Sequence, residues 1–573
     1  MRNLAVAQIF HEIADLLEIK GENPFKIRAY RRGAQAISLL PEDVAELVQR
    51  GELQSVDGIG KALAAKVEEW LATGRMAYHQ ELLAEIPRGL IDVMKVPGIG
   101  PKLAKRLYDE LGVASLADLA EAVKAQRVRQ VRGLGPKSEE AIGRALAQMA
   151  QVRERTPAGE ALALGRALLE AVRSAPGVIR AELAGSLRRM AETVGDLDIV
   201  AAAEDSGPVM ERFTSLPGVD EVLAKGETKA AVVIRGLQVD LRVVPPESFA
   251  AALHHFTGSK EHHVRLRELA QKLGYSVSEY GVRELATGRV IHPGSEEELY
   301  RLLGLPYIPP ELREGRGEIE KALAGELPEL LVPGDIRGDL HVHSTWSDGR
   351  STLEEIAAAA KRLGYEYVAI CDHSRSLRIA GGLSAAGLRC QKEAIARAME
   401  AVPGVRLLRG VEVDILPGGE LDLDDEILAE LDVVVASVHS GLRQDREQLT
   451  RRLVRAIEHP HVDIIGHPTG RILGQRAAYE VDIDRVIEAA ARHGKALEIN
   501  AAPDRLDLGD VLAKRAAEAG VMLAVNTDAH DTQQLAEFMP FGVAVARRAW
   551  LDAGRVLNTK PLEQLLAWLS RER

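Results

Sequence analysis

The stretch GSLRRMAETVGDLDIV, residues 185–200, decides how the first half of the chain is read. Its last five residues, Asp196-Leu197-Asp198-Ile199-Val200, alternate polar and apolar side chains and run on into small apolar residues, the pattern of a strand. Residues two apart on a strand point to one face, so the spacing places Asp196 and Asp198 side by side. Two carboxylates that close repel each other unless a cation lies between them, and a hard divalent ion, Mg²⁺ or Mn²⁺, suits such oxygen ligands. Upstream, residues 178–183 predict another strand that enters Gly185-Ser186 and then a helical stretch bearing Arg188 and Arg189. That layout offers backbone N–H groups, a hydroxyl and a guanidinium to a phosphate.

A DxD pair alone is more often a solvated turn than a metal site. Residues 229–240, KAAVVIRGLQVD, tilt the balance: they predict a hairpin turning at Arg235-Gly236, with a returning strand LQVDLRVV. Alternation puts Leu237, Val239, Leu241 and Val243 on one face and Gln238, Asp240 and Arg242 on the other. Asp240 is the only acid in that strand. A third carboxylate from an adjacent strand completes a two-metal site of the kind that clamps the attacking and leaving oxygens in phosphoryl transfer.

These motifs (GS, RR, an acid followed by DLD, VDLR at 239–242 and HFTGS at 255–259) resemble the nucleotidyltransferase palm of family X DNA polymerases, the group that includes DNA polymerase beta. The whole chain resembles the bacterial members with a fused C-terminal PHP domain. The resemblance implies that Asp196, Asp198 and Asp240 are the catalytic, metal-holding carboxylates, and that Gly185, Ser186 and Arg189 hold the triphosphate. It places Phe256 and Gly258 along the incoming nucleotide and Arg267 on the template side. His255 stands where tyrosine is usual and His263 where asparagine is usual, which bears on sugar discrimination.

A chain of 573 residues suggests roughly four domains. Cys371 and Cys390 are the only cysteines, and with no signal peptide or long apolar run they point to a soluble cytoplasmic protein with free thiols and no membrane partner. The formal charge of −12 argues against binding nucleic acid over the whole surface. It leaves room for local patches, and residues 26–32 (KIRAYRR) and 127–137 are two of them.

Residues 1–84 read as helical, with Ile9, Ile13, Leu16 and Leu17 on one face. Val56-Asp57-Gly58-Ile59-Gly60-Lys61 then precedes Leu63, Val67, Trp70 and Leu71 at helical spacing. A glycine-rich turn between short helices, with exposed amides and a lysine beside it, is the helix-hairpin-helix way of gripping a DNA phosphate without reading a base. One such turn is more often a plain helical corner. Here it recurs, with Gly98, Gly100 and Lys102, and then with Gly133, Gly135 and Lys137, so that Gly58, Gly60 and Lys61 are the first of three sets. The resemblance implies further that Lys66 forms a Schiff base with a 5′-deoxyribose phosphate, and that Lys26 and Tyr30 hold the 5′-phosphate. Ala62 stands where the beta enzyme has another phosphate-binding lysine.

From residue 335 the pattern changes to short apolar runs separated by amphipathic helices, which suggests parallel strands with helical crossovers. The runs are DLHVH (339–343), VAICDH (368–373), LLRGVEVD (407–414), VVVASVH (433–439), VDIIGH (462–467), ALEIN (496–500) and MLAVNTDAH (522–530). In a barrel of this type the site lies at the C-terminal strand ends. That rings one mouth with His341, His343, Asp348, His373, Glu412, His439, His467, Asp528 and His530. A lone histidine is more often a satisfied core residue, but this many imidazoles and carboxylates at successive strand ends read as metal ligands. Mixed N/O ligands suit Zn²⁺, Mn²⁺ or Fe²⁺ better than Mg²⁺. The runs resemble the PHP superfamily of metal-dependent phosphoesterases. That resemblance implies three ions: one on His341, His343, Glu412 and Asp528, one on Asp348, His373 and His530, and one on His439 and His467 with Glu412 bridging.

The expected organisation is therefore multidomain: a lyase-like helical domain (1–84), a helix-hairpin-helix subdomain (85–152), an α+β palm (153–250), a C-terminal polymerase subdomain (251–318), a linker (319–335) and a distorted TIM-like α/β PHP barrel (336–573). The expected function is DNA polymerisation across short gaps in base excision repair, on gapped or nicked DNA with deoxynucleoside triphosphates, by a monomer. The barrel is expected to act as a 3′-5′ exonuclease or 3′-end phosphoesterase and at abasic sites. The competing readings are a DNA-end nuclease whose palm only grips DNA, and a non-catalytic end-binding scaffold.

Overall fold

The computed structural model describes residues 2–38, 44–56, 58–94, 96, 99–153 and 155–570. Gly98, in the second glycine turn, lies outside the described residues. The chain divides into two compact units, Met1–Glu154 and Arg155–Arg573.

The first unit is helical. Its helix Pro24–Ser38 buries Ile27, Tyr30, Ala34 and Ile37, spaced at three and four residues as an amphipathic helix requires. One apolar core runs from Val6 through Leu63 and Leu107 to Ala145. The segments expected as separate domains, 1–84 and 85–152, thus share a single core.

In the second unit the palm is a five-stranded sheet in the order Val178–Leu183, Asp196–Ala203, Leu237–Val244, Lys229–Ile234, Val219–Lys225. Its central pair is parallel and the others antiparallel. The hairpin turns at Arg235 and Gly236, both with positive φ, which matches the twist of the strands it joins. Helices Ala158–Arg173 and Gly207–Thr214 cover one face of the sheet. The helix Phe249–Thr257 covers the other, burying Phe249, Ala252 and Leu253 against Val200, Ala202 and Val244. The C-terminal polymerase subdomain, a thumb beside the palm, continues through Lys260–Lys272, a three-stranded antiparallel sheet and the helix Glu296–Leu302.

Residues 319–335 are not a loose tether. Ile319 and Ala322 are buried in the thumb core and Leu331 in the barrel core, and Leu331 is bonded through its backbone to Leu551. The Pro- and charge-rich composition reads as a linker, yet Ile319, Ala322 and Leu331 are spent on packing.

The last region is a parallel sheet of seven strands in strict sequence order, from Gly338–Val342 to Leu523–Asn526. A parallel bridge between Val342 and Ala529 joins its two ends, so it curls into a nearly closed barrel one strand short of the TIM pattern. Helices cover one apolar face, and the C-terminal segment with Leu557, Leu565 and Leu569 packs on the other. Cys371 is buried in this region and Cys390 exposed, both as free thiols.

Candidate metal centres and DNA-binding turns

In the palm, register does the positioning. Asp198 pairs directly with Asp240 across the parallel strands, and Asp196 precedes Asp198 by two residues on the same face. Both Asp198 and Asp240 line a small recess with Lys229 and Phe256. Burial, and then the charges of Asp196 and Asp240, push the Asp198 carboxyl up to about 7. Gly185 is at φ +61°, and a Cβ there would lie 2.1 Å from Asp198 Oδ2, so only glycine lets the Gly185-Ser186 turn sit on that carboxylate. Asp240 Oδ1 is buried with no hydrogen-bond partner, the mark of an oxygen waiting for a cation. The sets that bring three ligand atoms within 4.8 Å of one another among the described residues all lie in the barrel; the palm acids stand wider apart, as like charges do. Lys229, which sequence reasoning did not single out, is 3.9 Å from Asp240 Oδ1.

Arg189 is more committed than its expected role suggests. Its Nη1 donates to the Thr257 carbonyl at 2.6 Å and its Nε to Glu314 at 3.1 Å, so phosphate would meet only part of the guanidinium. Gly258 lies against Arg189, at 3.1 Å from a would-be Cβ. Phe256 stacks edge-on with His255 and lies under the Arg242 guanidinium. Arg267 reaches His255 Nδ1 at 3.4 Å, and His263 is bonded to the His255 carbonyl at 2.9 Å. The two unusual histidines therefore stabilise each other. Ser186 is half-buried beside Gly185.

In the helical unit, the glycine turns share one hydrogen-bond pattern. Ile59, Ile99 and Leu134 donate to the carbonyls of Val56, Val96 and Val131 at 3.0, 2.9 and 2.9 Å. Gly60, Gly100 and Gly135 then each accept from the third and fourth residues ahead, opening helices that begin at Lys61, Pro101 and Pro136. The first amides of those helices, beside Lys61, Lys102 and Lys137, need an outside acceptor. Gly58 and Gly133 have positive φ, as the turn demands. Lys26 and Lys66 both lie over the ring of Tyr78, at 4.9 and 4.8 Å from its centroid. Tyr30 is buried, stacked on Tyr78 and edge-on to Phe10. Tyr78 gathers all three residues and was missed because no local spacing links it to them.

The barrel mouth is the densest cluster. His343, Asp348, His373 and His530 form one candidate set, His341, His343 and Asp528 a second, and His373, Glu412 and His439 a third. Glu412 sits at the hub: its Oε2 is 3.6 and 3.7 Å from His341 and His343, and its Oε1 is 3.3 and 3.0 Å from His439 and His467. His343 and His373 are each shared by two sets, where the resemblance gave each to one. Burial would push the Glu412 carboxyl up, but His439, His373 and His341 hold it well below the usual carboxylate range. His373 Nδ1 and Glu412 Oε2 are 2.7 Å apart yet neither is hydrogen-bonded, and His343 Nδ1 is also an orphan. Buried donor atoms that converge without bonding fit bound metal ions. His467 and Asp528 hold left-handed backbone (φ 27° and 52°), strain of the kind found where ligands are aimed.

An outer layer orients these ligands. Glu498 bonds His341 Nδ1 at 2.8 Å, Asp414 bonds His439 Nδ1 at 2.5 Å, and Asn500 donates to Asp528 Oδ2 at 3.0 Å. Such partners fix which ring nitrogen faces the metal. Glu498 and Asn500 end the strand ALEIN, so the polar strand-end signal that marked the ligands was present for them too.

The fold and the two centres define a class: a nucleotidyltransferase palm and thumb joined to a metal-dependent phosphoesterase barrel. Family models match the chain as a helix-hairpin-helix domain over 1–76, a SAM-like helix-hairpin-helix tandem over 90–148, a DNA polymerase beta thumb over 252–314 and a PHP domain over 339–502. The DNA polymerase/3′-5′ exonuclease PolX of Bacillus subtilis (strain 168) is 42% identical over 574 residues, covering 100% of both chains. A probable phosphatase of Thermoanaerobacter sp. (strain X514) is 35% identical over 233 residues, 39% of this chain and 89% of that one. The chain belongs to the PolX family, the bacterial family X DNA polymerases with a C-terminal PHP domain. No helix among the described residues is long and apolar enough to cross a membrane.

Proposed function

We propose that this chain, acting as a monomer, fills short gaps in DNA at the palm and hydrolyses 3′ ends at the barrel mouth. The observation that carries the polymerase half is the pairing of Asp198 with Asp240 beneath the Gly185 turn. In this reading Asp196, Asp198 and Asp240 hold two Mg²⁺ or Mn²⁺ ions, which supply charge neutralisation to the triphosphate of the incoming deoxynucleotide. The Gly185-Ser186 amides and the free edge of Arg189 grip the phosphates, and Asp240 takes the proton of the primer 3′-hydroxyl. Phe256 and Gly258 lie along the nucleotide and Arg267 along the template. Lys61, Lys102 and Lys137 with their glycine turns hold the backbone of the gapped duplex.

At the barrel, Glu412 and its imidazole and carboxylate neighbours hold Zn²⁺, Mn²⁺ or Fe²⁺, which supply an activated water and phosphate neutralisation. Glu498, Asp414 and Asn500 keep the ligands oriented. The PHP chemistry extends to abasic sites, and Lys66, aided by Lys26 and Tyr30, is the candidate lyase nucleophile.

The test is a single gapped substrate assayed for extension and degradation by the full chain under Mg²⁺ and then Mn²⁺. Asp198→Ala is expected to lower nucleotide addition by about 10³-fold or more while 3′ hydrolysis continues. No extension by the unaltered chain would leave a DNA-end nuclease, and loss of both activities in the variant would rule out two separate centres.

A further inference from the structure

A cleft of about 1030 Å³ opens where the palm meets the barrel mouth. Its barrel side is lined by the candidate ligands Asp528 and His530 together with Arg505. Phe538 and Phe541 on that side face Leu162 and Met190 of the palm across the gap. A cleft at the top of the range for single small-molecule sites, about 300–1,000 Å³, has room for a nucleotide or two.

Arg505 is held beside Asp528 by charge and not by a hydrogen bond. Its guanidinium, 21% exposed, comes within 3.7 Å of Asp528 Oδ2 and donates no hydrogen bond among the described residues. A largely buried guanidinium with unmade hydrogen bonds is costly, and its planar fork matches a phosphate in two places. Its loop is fixed from both sides. Arg505 N donates to Ala502 O at 2.8 Å, and Arg505 O accepts from Arg471 Nε at 3.0 Å. Arg471 in turn pairs with Glu192 of the palm at 2.8 Å. The neighbouring Pro503 lies so close to Gly159 that a Cβ on the palm helix would meet it at 2.5 Å. A residue that only oriented Asp528 would be redundant, because Asn500 already does so.

We propose that Arg505 is a catalytic residue of the hydrolytic centre that grips the scissile phosphate of a DNA strand end, in a cleft whose far wall is the palm. The proposal rests on the reading of the barrel as a hydrolase of DNA ends. In that hydrolysis water attacks phosphorus and the bond to the penultimate 3′ oxygen breaks. A nucleoside 5′-monophosphate leaves, a new 3′-hydroxyl remains, and negative charge grows on the oxygens that Arg505 faces. The terminal base lies between Phe538 and Phe541 on one side and Leu162 and Met190 on the other, a sequence-tolerant stacking slot.

The experiment compares Arg505→Gln, Arg505→Lys and Leu162→Asp in the full chain. The substrates are a single-stranded oligonucleotide and bis(p-nitrophenyl) phosphate, a diester too small to reach the palm wall. Metal content and the thermal midpoint are followed in each variant. Arg505→Gln is expected to lower kcat/KM on both substrates by about 10²–10³-fold with metal content and midpoint at wild-type values, and Arg505→Lys to recover part of the loss. Leu162→Asp is expected to raise KM for the oligonucleotide about tenfold relative to that for the diester. Metal loss in step with activity in Arg505→Gln, or no effect on kcat/KM, would overturn the role of Arg505. Equal effects of Leu162→Asp on both substrates would overturn the palm wall. A wild-type chain inactive on both substrates would instead overturn the hydrolase reading itself.

Discussion

At the scale of single residues, the palm depends on an absence. Gly185 has no side chain because Asp198 occupies the place where one would go, and its left-handed φ adds a second reason for glycine. Gly185→Ala must move the carboxylate, the turn or both. Misplacements of about 1 Å are known to cost roughly 10²-fold in rate, so the variant should lose at least that much nucleotide addition while 3′ hydrolysis and the thermal midpoint of the barrel hold. Primer extension and calorimetry on the same preparation check both halves. Glu412 is the opposite case, a single carboxylate on which four of the surrounding imidazoles converge. Its place at the end of the strand Arg406–Asp414 could be read from alternation, because period-2 spacing fixes which side chains reach a mouth. What could not be read was sharing: that His343 and His373 each serve two sets depends on distances between distant strands. The gathering of Lys26, Tyr30 and Lys66 around Tyr78 was hidden for the same reason, since Tyr78 lies on another helix.

At the scale of elements, the strands and glycine turns were legible because hydrophobic period and turn chemistry are local. The seven barrel strands fall on the apolar runs, and even the weak motif at 133–137 makes the same hydrogen bonds as the other two. The ion cluster that fastens thumb to palm was not legible. Arg188 binds Glu296 and Thr257, and Arg313, fully buried, binds Glu296 at 2.6 Å and the Ile308 carbonyl at 2.8 Å. Nothing in the spacing of residues 188, 296 and 313 joins them. Burial would push the Glu296 carboxyl up, but Arg313 and Arg188 hold it below its ordinary value. A depressed carboxylate stabilises the folded state above its unfolded pKa of 4.5, and that contribution drains away as pH falls below 4.5 towards the folded value. Glu296→Gln should therefore cost about 3–5 kcal/mol at pH 7, because Arg313 is left as an unpaired buried cation. The deficit relative to the parent should shrink below pH 4.5, as the parent's own Glu296 takes up its proton. Denaturant melts of both proteins at pH 7 and pH 4 measure it.

At the scale of the whole molecule, palm, thumb and barrel form one body. Arg548, on the barrel helix Thr532–Arg548, donates to the Arg189 carbonyl and to Glu314, both at 2.7 Å, and pairs with Asp510 at 2.8 Å. Glu314 also holds Arg189, so a barrel side chain stands directly behind the Arg189 end of the palm's Gly185–Arg188 helix. Arg548→Ala removes the cation shared by the half-buried Glu314 and the buried Asp510, leaving each with one arginine, Arg189 and Arg316. The expected result is a thermal melt that splits, with the palm and thumb unfolding before the barrel, and slower nucleotide addition without loss of barrel metal. Scanning calorimetry with metal analysis decides it.

The seam at Gly159 and Pro503 has a consequence for traffic between the two chemistries. Where helix and loop touch so tightly that a methyl group cannot be inserted, any swing of one half toward the other would have to break this seam. The nucleic acid must do the travelling, and the choice between growth and trimming becomes a race between adding the next unit and peeling the terminus free.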